Sequence, residues 1–419
     1  MIRCNKHVWF GALTLVLWSG FVSAQSDNWQ NRSHLKYLYS FSSYPDDSIY
    51  RDVFGAQVND NAINFRHDFS FNNSKWLFEA DYEAIAMHSS SNQLGNATPF
   101  VGEQYPNDRE RLFHLTQTVS NSDSSVVLQR LDRLYLGYQT ENNVLKIGRQ
   151  ALSWGNGMFF SPMDFFNPFD PTAVDKEYKP GDDMLYFQHL YQSGNDLQVV
   201  WLGRRNVEGE RDSTVNSAAA KYHMLVGDTE IDIVVARHFD DRIYGVGAVR
   251  SIGGGVLRGD LVNTKASSGD YSSYVGSYSY SWIGFDKNMS GVLEYFHNGF
   301  GLNRDQYQLQ QLQAHEDLLA RVERGELFVV GRDYLALNLQ VEMTPLWLAN
   351  LNCFSNIVDG SGLLQLVSQH NLRENLQFYL SLAQPFGGRG SEYGGLESSV
   401  PNRYLRVGTT LSAQLAYYF

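Results

Sequence analysis

Two clusters of charged residues are the first places where this sequence could do chemistry. Arg66 and Asp68 sit among Phe65, Phe69 and Phe71, and Glu79, Asp81 and Glu83 sit among Trp76, Phe78, Ala80 and Tyr82. Charged and apolar residues alternate, so an extended chain sorts them onto opposite faces. Folded about Asn73-Ser74 with Phe71 opposite Trp76, the two stretches set Arg66 against Asp81 and Asp68 against Glu79. The first pair reads as a structural ion pair. The second brings two carboxylates together, which is unfavourable unless an arginine from across the wall, a bound cation or a raised carboxyl pKa relieves it. An acidic patch of this kind suits the passage of cations or polar solutes. A buried charge network that stiffens an interior uses the same residues.

A basic counterpart lies in Lys146-Ile147-Gly148-Arg149-Gln150. Strict alternation puts Arg149 with Leu145 and Ile147 on the apolar face, where an arginine in contact with lipid costs about 2–4 kcal/mol. Either a bulge at Gly148 turns Arg149 inward beside Lys146, or Arg149 stands at a rim, where it meets lipid phosphate. The segment from Trp154 to Asp183 is the third candidate. It carries Asn156, Phe159, Phe160, Phe165, Phe166, Phe169 and Asp170 between Pro162, Pro168, Pro171 and Pro180. So many aromatics do not suit a disordered polar loop, and the segment is expected to pack against a wall or mouth and narrow it. Its carboxylates (Asp164, Asp170, Asp175, Glu177, Asp182 and Asp183) lack the Asp-x-Asp-x-Asp-Gly spacing of a calcium loop, and no metal is expected. Gly-x-Ser-x-Gly, His-Glu-x-x-His and Cys-x-x-Cys are all absent. A hydrolase assembled from separate strands leaves no such spacing and stays open as a third reading.

The elements that must hold these residues are strands. Period-2 alternation bounded by turn residues gives about eighteen, from 33–43 to 408–419. The clearest is Tyr274 to Trp282, with aromatics on one face and serines on the other. Every second connection is short, as at Asn72 to Ser74, Gly227-Asp228 and Gly253-Gly254. The alternate set holds all the long ones: 44–60, 89–125, 154–182, 205–215, 299–330 and 385–407. Sorting by length in this way is the pattern of an antiparallel up-and-down barrel that spans an outer membrane, with periplasmic termini and turns and external loops. The 299–330 loop carries a helix-like run with Leu309, Leu312, Leu318, Leu319 and Val322 on one face, which reads as a helix over the barrel rim.

The chain ends agree. Arg3 and Lys6, the apolar run Val8 to Phe21, and Val22-Ser23-Ala24 form a secretory leader over 1–24, so that 25–419 is a single mature domain. Cys353 is then the only mature cysteine, and an internal disulfide is impossible. Leu411, Ala413, Leu415, Tyr417 and Phe419 alternate with Thr410, Ser412 and Gln414. This terminal stripe has the form of the signal that outer-membrane proteins present to their assembly machinery. No later stretch reaches the roughly 18–20 apolar residues of a helical span, and the mean hydropathy is -0.34. The abundant aromatics (Tyr 25, Phe 25, Trp 8) suit the girdles of a barrel. Loss of the leader takes the formal charge from -12 to about -14, which argues against a nucleic-acid partner.

Gly148-Arg149-Gln150, Ser153 to Gly157, Phe169-Asp170-Pro171, Tyr178 to Asp183, Glu294 to Gly301, Gly331 to Tyr334 and the terminal Phe resemble an uncharacterised group of proteobacterial outer-membrane barrels. The architecture is similar to eighteen-stranded porins and alginate-export barrels, in which arginines often line the conduit. The resemblance implies a channel for small polar or charged solutes. Its expected partners are outer-membrane lipid and lipopolysaccharide, the assembly machinery and the solutes, with no cofactor and no enzyme activity. Arg66, Asp68, Glu79, Asp81, Glu83, Lys146 and Arg149 are the candidate pore lining. Trp154, Asn156, Phe165, Phe166 and Asp170 are the candidate constriction. The alternative is an export barrel closed by its loops until a periplasmic partner engages it, and a homo-oligomer is compatible with either.

Overall fold

Alternating apolar and polar residues run as strands through almost the whole described chain. The computed structural model describes residues 28–91 and 105–419, so the leader expected at 1–24 lies outside them. In chain order the strands are β1 (Trp29–Ser43), β2 (Gln57–Asn72), β3 (Trp76–Ser89), β4 (Thr116–Asn121), β5 (Ser125–Gln139), β6 (Asn143–Gln150) and β7 (Asp182–Leu190). There follow β8 (Asp196–Leu202), β9 (Ser217–Val226), β10 (Thr229–His238), β11 (Asp241–Ile252), β12 (Gly255–Lys265), β13 (Asp270–Gly284) and β14 (Lys287–His297). The last are β15 (Asp333–Thr344), β16 (Trp347–Asn356), β17 (Ser361–Arg373), β18 (Leu376–Phe386), β19 (Leu396–Glu397), β20 (Tyr404–Leu405) and β21 (Thr410–Tyr418). Eighteen of them form one closed antiparallel barrel. Each barrel strand pairs with the next, β3 with β5 past the short strand β4, and β21 closes the ring by pairing with both β18 and β1.

The closed ring pairs each of its eighteen strands on both sides, and it turns the usual solubility rule inside out. Leu257, Leu261, Tyr274, Tyr278, Leu293 and Leu337 are exposed, whereas Asp260, Ser277, Glu294 and Ala336 on the other face are buried. An apolar outer band over a polar interior is the arrangement a bilayer demands. Leu411, Leu415, Tyr417 and Phe419 belong to that outer band. Short turns all lie on one rim, together with both ends of the described barrel: Trp29 pairs with Phe71, and Tyr418 N–H donates to Asn375 O.

The β2–β3 hairpin departs from the expected register. Phe71 pairs with Phe78 rather than Trp76, and Asp68 with Asp81. The turn explains the shift. Asn73 Oδ1 accepts from the N–H groups of both Lys75 (2.9 Å) and Trp76 (2.6 Å), which holds Trp76 in the turn. A slip of two residues keeps every side chain on its face, because the strand period is two. Inside and outside were therefore legible while the cross-strand partners were not.

The long connections carry further elements, of which a first helix and β4 lie in segments expected as plain loops. Helix α1 (Ile49–Phe54) begins at Ser48, whose side chain caps Tyr50 N–H. β4 extends the edge of β5 beyond the end of the short strand β6. In the 299–330 loop the expected helical run is two helices, α2 (Leu309–Gln313) and α3 (Glu316–Glu323), broken at Ala314-His315. They bury Leu312 and Leu318 in a cluster with Phe300, Leu302 and Tyr307.

Candidate functional site

The connection from β6 to β7, residues 151–181, folds into the barrel and crosses it. Its aromatics supply the reason. Trp154, Phe165 and Phe166, with Met163, pack on the inward residues Met184, Val200, Leu202, Val234, Ile243 and Val262 of β7, β8 and β10–β12. Phe160 packs on Val275, Phe296, Tyr334 and Phe354 of β13–β16, stacking on Phe296 at 4.7 Å. Space for the loop is built into β11: a Cβ on Gly247 would stand 2.5 Å from Asn156 Nδ2 and 2.7 Å from Met163 Cε.

Polar anchors hold the same loop to strands around the ring. Trp154 Nε1–H donates to Gln198 on β8 at 2.9 Å. Asn156 gives its backbone and side-chain N–H groups to the two oxygens of Asp260 on β12, each at 2.7 Å. Glu294 on β14 accepts the consecutive N–H groups of Met158 (2.6 Å), Phe159 (3.1 Å) and Phe160 (2.7 Å). Glu294 is fully buried, and three converging donors are what such a carboxylate requires. Gly157 makes this turn possible, since a Cβ there would stand 1.8 Å from Phe160 O. Further on, Thr172 O accepts from Gln365 on β17 at 2.9 Å. Lys36 on β1 binds Asp175 (2.6 Å) and Glu177 (2.7 Å), and Gln414 and Tyr418 on β21 bind the same two carboxylates. Burial opposes ionisation of Asp175, but the Lys36 bond outweighs it and holds its carboxyl below the usual range.

Inside the loop, Lys179 Nζ reaches both oxygens of Asp164 (2.6 and 2.7 Å) and closes the loop on itself. Burial pushes the Asp164 carboxyl up to about 6 despite that ammonium, and the same burial lowers Lys179. Asp170 caps Thr172 locally, accepting at 2.8 Å. The carboxylates of this segment disperse to separate cations: Asp182 to Arg204, Asp183 to Arg149, Asp175 and Glu177 to Lys36. Among the described residues no group of metal-holding side chains forms.

The acidic hairpin is knitted into the wall. Arg66, 2% exposed, reaches Asp68 (2.6 Å), Asp81 (2.6 Å) and Asp132 (3.1 Å), with Tyr178 of the loop stacked over its guanidinium at 4.0 Å. The like-charge pair is Asp68 with Asp81, and Arg66 on the same strand relieves it. A bulge in β5 opposite Asp81 and Tyr82 turns both Asp132 and Arg133 inward, which adds a carboxylate and a guanidinium to the network. Glu83 binds Arg130 and Asn64, and Glu79 accepts from Tyr135 Oη at 2.7 Å. Lys146 lies inward between the Tyr135 and Tyr186 rings.

Arg149 leaves the candidate pore lining. β6 stays in register through Gly148, with no bulge, so Arg149 keeps the outward parity of Ile147 at the rim end of the strand. It is fully buried there, against Asp183 (2.9 Å), Asp108 (2.9 Å) and Phe113 O (2.7 Å). The segment at 108–113 supplies the last two of these partners and folds over the long-loop rim above β6. Nothing in the local alternation announces them, since Asp108 lies forty-one residues upstream.

Sequence reasoning also missed Lys36, Asp260, Glu294 and Gln414, the wall residues that hold the loop. A signal existed for two of them. Asp260 and Glu294 are carboxylates at inward positions flanked by Val262 and Phe296, and a lone carboxylate in such a row needs a partner from another segment. Among the described residues one serine, histidine and carboxylate form a chain: Ser217 Oγ to His238 Nδ1 at 2.9 Å, and His238 Nε2 to Glu326 at 2.8 Å. Ser217 is buried and its oxygen also accepts from Arg204 at 2.6 Å, so the chain presents no accessible nucleophile.

No family model and no curated protein matches the sequence. Solved structures match its fold. OccAB4 of Acinetobacter baumannii is 8% identical with a TM-score of 0.55, over 95% of this chain and 100% of that one. Wzi of Escherichia coli, a carbohydrate-binding outer-membrane barrel involved in group 1 capsule assembly, is 10% identical with a TM-score of 0.53, over 92% and 84%. OpdK of Pseudomonas aeruginosa, an outer-membrane protein, is 12% identical with a TM-score of 0.51, over 93% and 98%. With its closed ring, apolar outer band and length-sorted connections, this chain is an eighteen-stranded β-barrel of the outer-membrane kind.

Proposed function

We propose that the protein is a porin-like channel through which small polar or charged solutes cross the outer membrane, narrowed by the 151–181 loop. The course of that loop carries the reading. It is anchored to β8, β12, β14, β17, β21 and β1, so a solute must pass through whatever space the loop leaves. Passage of this kind uses pore diameter and electrostatics and needs no cofactor. The fold likeness to OpdK, which has also been solved with vanillate, supports a small-solute role. In this reading the short turns and termini face the periplasm. The outward stripe Leu415, Tyr417 and Phe419 meets the assembly machinery.

Single-channel recording in a planar bilayer tests the proposal. The purified barrel should conduct, and deletion of residues 158–178 should raise the conductance. Unchanged conductance after the deletion would sink the constriction role. One observation favours the second reading, a loop-closed export barrel. The 151–181 and 298–332 loops meet over the mouth, where Phe159, Phe165, Phe300 and Phe328 line one shared cavity. A folded barrel that stays silent until a periplasmic partner is added would establish that reading instead.

A further inference from the structure

The loop that crosses the lumen leaves open space on one wall. A cavity of about 390 Å³ lies between Thr172 and Val174 of the loop and Gln365, Ser381, Thr410 and Ser412 of β17, β18 and β21. A second, also about 390 Å³, lies toward the short-turn rim between Val174 and Gln377, Tyr379, Gln414 and Tyr418 of β18 and β21. Val174 borders both. Gln377, Tyr379, Ser381 and Ala383 follow one another at every second position of β18, so a single inward stripe runs through both chambers. Gln414, Ser412 and Thr410 do the same on β21, where Gln414 pairs with Tyr379 and Ser412 with Ser381. Where the two meet at Val174, the second chamber is lined by the Lys36–Asp175–Gln414 cluster.

The chemistry of the two chambers differs. The one nearer the long loops has a single ionisable carboxylate, Glu392, and it is committed: it accepts from Val330 N–H (2.7 Å), Tyr334 Oη (2.5 Å) and Asn356 Nδ2 (2.8 Å). Its other polar groups are hydroxyls and amides, beside the apolar surfaces of Val174, Leu363 and Val407. In the second chamber, Lys36 is satisfied by two carboxylates at once. Each chamber falls within the size range of small-molecule sites, roughly 300–1,000 Å³.

We propose that solute crosses the barrel along the β17–β18–β21–β1 wall, through two chambers that meet at Val174, the second lined by the Lys36–Asp175–Gln414 cluster, and that the outer chamber selects uncharged, hydroxyl-rich solutes over ions of the same size. The route rests on the channel reading above. It also leaves the Arg66 network outside the path, as wall structure.

Two measurements on the full-length barrel test the route. In a Cys353→Ser background, Ser381→Cys and Tyr379→Cys are modified with a bulky methanethiosulfonate, and modification is verified by mass. Ser281→Cys, on the inward face of β13 beside a separate cavity, is the control. Modification at the two β18 positions should remove more than half of the conductance, and modification at the control should leave it unchanged. The reverse ranking would overturn the route while leaving the channel intact. Liposome swelling then compares glucose, glucosamine and gluconate, which share a size and differ in charge. Glucose should enter fastest, and Ser381→Glu should shift the preference to glucosamine. Equal or faster entry of gluconate in the unmodified barrel would overturn the selectivity. A folded barrel with no conductance at all would remove the channel reading, and the route with it.

Discussion

Single residues in this barrel are placed by parity, and parity makes errors costly in one direction only. Tyr278 lies on the outward face opposite Leu257 and Leu293, whereas Ser281 borders a water-accessible cavity of about 380 Å³. Arginine on the lipid face is penalised by about 2–4 kcal/mol near the midplane. Tyr278→Arg should therefore lower the yield of heat-modifiable barrel on an electrophoresis gel, and Ser281→Arg should not. Equal yields would invalidate the inside–outside assignment. Arg66 shows what parity leaves undecided: its face was legible, but its three carboxylate partners on three strands were not.

Among the elements, the 151–181 loop holds its place by a few concentrated contacts. Glu294 binds three consecutive backbone N–H groups, each a charge-assisted bond. Glu294→Leu removes all three and leaves those donors unpaired, at a cost on the order of 2–3 kcal/mol. The variant should show noisier and larger single-channel currents, and its loop should be cut faster by added protease. A quiet, unaltered current would mean that the aromatics alone seat the loop. The segment around Glu392 adds a pH dependence. Burial pushes this carboxyl up to about 7 against its three donors. The folded value lies above the unfolded one, so the stabilising contribution is complete below about pH 4.3 and is lost as pH rises through the folded value. Tryptic cleavage at Arg389 should accelerate between about pH 6 and pH 8, relative to a Glu392→Gln variant measured alongside. Equal acceleration in both proteins would remove Glu392 as the cause.

At the scale of the whole molecule, stability depends on closure. β1 and β21 meet along His34 to Ser42 and Thr410 to Tyr418, so the ring cannot close until β21 is in place. Without β21, the ladder groups of β1 and β18 face hydrocarbon with no partner, at several kcal/mol for each unsatisfied group. Deleting residues 410–419 should abolish the heat-modifiable band, whereas deleting 158–178 should preserve it. A folded band from the first deletion would show that β18 can pair with β1 directly.

The strand count, the face of each side chain and the sorting of long from short connections all follow from local alternation and turn residues, because the strand period of two is a property of the backbone itself. Tyr278, Ser279 and Leu415 needed nothing further to be assigned. Other features depended on segments far apart in the chain. The Asn73 turn moved Phe71 onto Phe78 and so exchanged the partners of Asp68 and Asp81. Asp108, arriving from forty-one residues away, let Arg149 remain on the outward face at the rim. Gly247, Asp260 and Glu294, on three different strands, gave the 151–181 loop its seat inside the barrel. Alternation repeats every two residues and carries no record of distant partners; those contacts exist only once the ring has closed and brought its walls within reach of the loop.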